Sequence, residues 1–120
     1  MQRFEGRVAL ITGASRGIGL AIPQRLVDEG GSVVLTARKQ EALDAAVASL
    51  GERAVGVAGK ADDPEHRAAV YALIRERFGH LDHLVNNAGI NPAYGPLAEV
   101  GVDVMRKTLE VNVIATLEWA

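Results

Sequence analysis

The chain has 120 residues, 48% hydrophobic and 23% charged, a balance that suits one globular domain with a real core, not two. Its net charge of −2 argues against a broad basic surface for nucleic acid, and the lack of cysteine excludes a disulfide scaffold or a thiolate metal site within it. No apolar run approaches the ~20 residues that span a bilayer, and Met1 to Glu5 does not resemble a signal peptide, so the expectation is a cytoplasmic protein without a membrane partner.

Arg7 to Thr12 is a β-branched and aliphatic run ended by Gly13, predicted as a buried strand. From Gly17 onward, Ile18, Ile22 and Leu26 recur at helical spacing until Gly30-Gly31. Pro23 lies inside that helix, where it removes the donor for the Gly19 carbonyl. Ser32 to Ala37 is a second strand; Leu43, Val47 and Leu50 mark a second helix stopped by Gly51. Ala54 to Ala58 is a third strand. Asp62 with Glu65 reads as a capping box opening a helix that carries Val70, Leu73, Ile74 and Phe78 on one side and ends at Gly79. Leu81 to Asn86 is a fourth strand. After a loop with Pro92, Gly95 and Pro96, Val102 to about Trp119 reads as a helix. Met105, Leu109 and Val113 are spaced four apart, and Met105, Leu109 and Trp119 are its expected packing face. Strands alternating with helices predict an α/β fold: a doubly wound parallel sheet with right-handed crossovers, its strands buried on both faces.

Three glycines crowd the first strand-to-helix turn. In a parallel sheet such a turn receives a dinucleotide pyrophosphate, held by free N–H groups and the dipole at the helix N-terminus. Gly13 permits the turn, Gly17 opens the helix, and Gly19 lets helix and strand approach. The spacing is not G-x-G-x-x-G, because Ser15 stands where the second glycine would be. It is T-G-x-x-x-G-x-G, from Thr12 to Gly19. With Asn86-Asn87-Ala88-Gly89 and Val111-Asn112, this pattern resembles the short-chain dehydrogenase/reductase family over essentially the whole chain, in the style of 3-oxoacyl thioester reductases.

The resemblance implies a Rossmann-like sheet of strand order 3-2-1-4 and hydride transfer between NADP(H) and a ketone or secondary alcohol. Residues 1–120 would form one dinucleotide-binding domain, incomplete at its C-terminal side and cut after the fifth β/α unit begins. The candidate cofactor residues of the glycine turn are Gly13, Ser15, Arg16, Gly17, Ile18 and Gly19. At the end of strand two, Arg38 and Lys39 stand with no acid before Glu41, which favours a 2′-phosphate and makes NAD the lesser candidate. Lys60 stands where relatives carry an acid near the adenine, leaving backbone of Ala61 to serve there. Asn87, Ala88 and Gly89 would border the ribose and nicotinamide.

Of the family's catalytic Asn, Ser, Tyr and Lys, Asn112 matches the Asn, whose implied role is to hold a water in the proton relay. Tyr71 and Arg75 have tyrosine-plus-four spacing but lie before Asn86 and read as a helix surface pair. His80 and His83 read as solvated or strand-edge residues, so no metal is expected. The implied partners are a small carbonyl or alcohol substrate and further copies of the chain, since the last helix often joins subunits in relatives. The alternative is a catalytically inert NADP-binding half-domain, or a truncated fragment lacking Tyr-x-x-x-Lys.

Overall fold

The computed structural model describes residues 2–15, 17–89, 96 and 99–120. Four strands, β1 (Val8–Ile11), β2 (Ser32–Ala37), β3 (Ala54–Ala58) and β4 (His83–Val85), form one sheet in the order β3-β2-β1-β4, every pair parallel. Helices α1 (Ile18–Asp28), α2 (Gln40–Leu50) and α3 (Pro64–Arg77) make the crossovers. A last helical stretch comprises α4 (Val102–Leu109), a π-helical turn (Glu110–Ile114) and α5 (Ala115–Trp119). Among the described residues no helix is long and apolar enough to cross a membrane.

The alternation of side chains along the inner strands divides the core between two layers. Ala9, Ile11, Val33 and Leu35 face α1 and α2, where they meet Leu26, Val27, Leu43, Ala46 and Leu50. Leu10 and Val34 point the other way, to Val70 and Ile74 of α3 and to Ala115 and Trp119 of α5. Burial on both faces is why β1 is apolar throughout and β2 carries the unbroken run Val33-Val34-Leu35.

Several expectations need correction. Two strands are shorter than predicted: β1 omits Arg7 and Thr12, and β4 covers only three residues. Asp82, placed in the strand by its sequence, instead turns its carboxylate onto the Val8 N–H at 2.7 Å and starts the β1–β4 pairing. The N-cap of α3 is Asp63, not Asp62. Its side chain accepts from the Glu65 N–H at 3.0 Å, and Pro64 follows at the first helical position, where no N–H is needed. Helix α1 continues through Pro23, which is fully buried. In the last stretch, Met105 and Leu109 are not the packing face; they are 37% and 48% exposed, while Val111, Ala115 and Trp119 are buried. The cause is the π turn, in which the Ala115 N–H reaches back to the Glu110 carbonyl. That wider turn rotates the following residues out of the four-residue pattern.

Candidate functional site

The carboxyl ends of the strands open on a cleft of ≈ 260 Å³. Its floor is the junction between the β1–α1 turn and the segment after β4. Thr12, 1% exposed, ties the two together: its Oγ1 accepts from the Asn87 N–H at 3.1 Å and the Ala88 N–H at 3.0 Å. The Asn87 side-chain amide donates to the Gly13 carbonyl at 2.9 Å, and the Ala14 N–H donates to the Thr36 carbonyl at 3.0 Å. The turn is thus fixed to both neighbouring strands.

Two glycines are required by this geometry. Gly13 has φ +63°, and a Cβ there would lie 2.7 Å from the Ala88 Cα. A Cβ on Gly19 would lie 2.3 Å from the Gly13 oxygen and 2.4 Å from the Asn87 amide nitrogen, so no side chain fits between helix and turn. Gly17 is the N-cap of α1 and Ile18 its first residue. Among the described residues no side chain caps that end and no acid occupies its first turn, so the positive end of the helix is left open there.

Of the sequence-predicted residues, Gly13, Ser15, Arg38, Ala61, Asn87, Ala88 and Gly89 line the cleft together. Arg38 stands exposed just past β2. Lys39 is the N-cap of α2 and is not part of the lining. Gly17 and Ile18 begin α1, and Gly19 packs against the Gly13 carbonyl. Asn112 lies in the π turn beside the cleft, where a Cβ on Gly89 would come 3.5 Å from its Oδ1. Arg16 lies outside the described residues.

Sequence reasoning missed other parts of the wall. Asp62 and Lys107 both line the cleft and form an ion pair, from the loop before α3 to α4. The hydrogen bond from Lys107 holds the Asp62 carboxyl below its ordinary range. Their separation in sequence left no local signal. Thr12 was present in the motif itself, but its partners lie 75 and 76 residues away. The Trp119 indole N–H donates to the Ala61 carbonyl at 2.9 Å, fastening α5 to the cleft wall.

Tyr71 departs from the surface pair expected with Arg75. Its hydroxyl donates to the Trp119 carbonyl, on the far side of the wall, and burial raises its pKa. It is absent from the cleft lining. His80 faces Asp82 at 3.1 Å, and His83 packs edge-on to Phe4.

Comparison with known proteins agrees with this arrangement. A family model described as short chain dehydrogenase matches residues 7–120. The chain is 43% identical over 118 residues to dehydrogenase/reductase SDR family member 4 of Caenorhabditis elegans, covering 95% of this chain and 45% of that protein. It is 37% identical to tropinone reductase-like 3 of Erythroxylum coca, covering 97% of this chain and 46% of that one. The crystal structure of L-sorbose reductase from Gluconobacter frateurii, complexed with NADPH and L-sorbose, superposes with a TM-score of 0.91 at 37% identity, over 99% of this chain and 46% of that one. The chain spans less than half the length of these relatives. With the parallel 3-2-1-4 sheet, the glycine turn and the Asn87–Gly89 floor in one cleft, these matches show that the chain belongs to the short-chain dehydrogenase/reductase family.

Proposed function

We propose that the chain is the cofactor-binding part of an NADP(H)-dependent oxidoreductase that moves hydride between nicotinamide and a ketone or secondary alcohol, and that it works in the cytoplasm. The observation that carries the cofactor choice is Arg38, in the cleft at the end of β2, with no carboxylate from Ser32 to Gln40. A guanidinium there offers a fork of donors to a 2′-phosphate, whereas NAD-selective sites place an acid for the 2′-hydroxyl. Arg16 and Lys39 are the further cations assigned to that phosphate.

The residues present suit the dinucleotide. The turn from Gly13 to Gly19, including Ser15 and Ile18, and the uncapped N-terminus of α1 would hold the pyrophosphate. Ala61 would face the adenine, and Asn87, Ala88 and Gly89 would carry the ribose and nicotinamide over the end of β4. Asn112, beside Gly89, would hold a water of the proton relay. When bound, NADPH supplies the hydride. NADPH in the sorbose reductase structure supports the cofactor, and the names of the relatives support a carbonyl substrate. Within that class we put 3-oxoacyl thioesters first. Met105, Leu109, Val113 and Leu117, exposed on the last helical stretch, support pairing with a second copy.

Calorimetric titration with NADPH and NADH tests the reading. NADPH should bind more tightly, and Arg38→Asp should weaken it by about 2 kcal/mol while sparing NADH. Tighter NADH binding by the parent chain would overturn the cofactor choice. A monomeric mass in solution would overturn the pairing.

A further inference from the structure

We propose that Trp119 is a positioning residue for the adenosine end of the cofactor, acting through the loop between β3 and α3. The inference rests on the reading that the cleft takes NADP(H). Residues 59–62 of that loop all line the cleft, yet they lie between the last residue of β3 and the first of α3 and belong to neither. Their place is set by contacts from elsewhere.

The contact from behind is the indole. Trp119 is 2% exposed, and its Nε1–H donates to the Ala61 carbonyl at 2.9 Å. The ring is itself held. His66 packs edge-on against it at 5.8 Å, Tyr71 lies tilted at 5.8 Å, and the Tyr71 hydroxyl donates to the Trp119 carbonyl. His66 also backs Gly59, where a Cβ would lie 2.3 Å from its Nδ1. On the cleft side, Lys107 grips Asp62. The loop is clamped between α3 and the last helical stretch, and the indole pins the peptide that joins Ala61 to Asp62.

The chemistry gives this clamp a purpose. Ala61 has only a methyl group, so what it offers a purine edge is backbone, and backbone recognition depends on where the loop is held. An indole locked by two neighbouring rings fixes that position without taking part in the contact. Loss of the indole bond would therefore be felt at the adenosine end of the cleft and not at the nicotinamide end.

Trp119→Phe keeps an aromatic ring for His66 and Tyr71 while removing the donor to Ala61; the ring volume it also removes is controlled by the nicotinamide-end ligand. Binding is followed by chemical-shift titration with 2′,5′-ADP, the adenosine half, and with nicotinamide mononucleotide. The expected result is about five- to tenfold weaker binding of 2′,5′-ADP, the worth of one neutral hydrogen bond, with nicotinamide mononucleotide unchanged. Equal loss of both ligands would mark a structural role and overturn the proposal, as would loss of neither. The unaltered chain supplies a second measurement that needs no variant. Its single tryptophan gives one indole N–H signal. Saturation with 2′,5′-ADP should slow hydrogen exchange at that proton, and nicotinamide mononucleotide should not. Exchange that ignores 2′,5′-ADP would overturn the inference alone. Failure of the parent chain to bind 2′,5′-ADP at all would overturn the cofactor reading with it.

Discussion

Thr12→Val isolates the junction on which the cleft is built. Valine has nearly the same shape as threonine and suits the end of a buried strand, so packing is little changed. What disappears is the oxygen that accepts from the Asn87 and Ala88 N–H groups at 3.1 and 3.0 Å. Thr12 itself is buried, and the two donors are half-buried, so each orphaned N–H costs at the low end of the usual range, about 1–1.5 kcal/mol. The total is about 2–3 kcal/mol, a large fraction of the stability of a small domain. Thr12→Ser is the control. It keeps the oxygen and loses one methyl, for about 1 kcal/mol. Urea unfolding of the three chains gives the comparison through midpoint and slope. A valine variant as stable as the serine variant would refute the claim that this hydroxyl joins the two segments.

Gly13→Ala should cost at least about 2 kcal/mol and weaken NADPH binding, because a Cβ would strike Ala88 at 2.7 Å on a backbone of positive φ; unchanged thermal unfolding would show that the floor yields. Pro23→Ala should raise stability by roughly 1 kcal/mol, the regained bond to the Gly19 carbonyl outweighing the buried ring carbons lost; an unchanged Tm would show that the helix already accommodates the ring. The hydrogen bond from Arg3, joined by that from Arg25, holds the Glu29 carboxyl down at about 2 instead of 4.5. A depressed carboxyl contributes stability that is whole above pH 4.5 and lost as pH falls toward 2, so Glu29→Gln should flatten the stability profile across that window. An acid profile identical to that of the parent would remove Glu29 from the account.

The elements whose boundaries were legible are those fixed by local chemistry. The bounds of β2 and β3 coincide with the predicted segments, and α2 stops before Gly51, which takes φ +93°. Strand β4 is shorter than its apolar run because its limits come from pairing with β1, not from its own residues. The cap expected at Asp62 falls on Asp63, because Pro64 suits the first helical position; Asp62 is left to meet Lys107. In the last helix a regular four-residue spacing misled, because it contains no mark of the π turn that rotates it. The glycine turn and the Asn87–Gly89 segment were each readable as backbone requirements. The Thr12, Lys107 and Trp119 contacts were not, because each depends on a partner distant in sequence.

Strand β1 has neighbours at unequal reach along the chain. Val8 pairs with Ser32 in β2, but Ala9 pairs with His83 in β4, a loop about three times longer, and closing it costs roughly 1 kcal/mol more in chain entropy. Loop entropy therefore favours an order of assembly in which β1, β2 and β3 join first and β4 docks last. The cleft is made from both parts, so its floor is completed only in that final step. A ligand gripping the Gly13 turn on one side and Asn87–Gly89 on the other would act as a late staple, slowing the departure of β4 more than the opening of the β1–β2–β3 sheet.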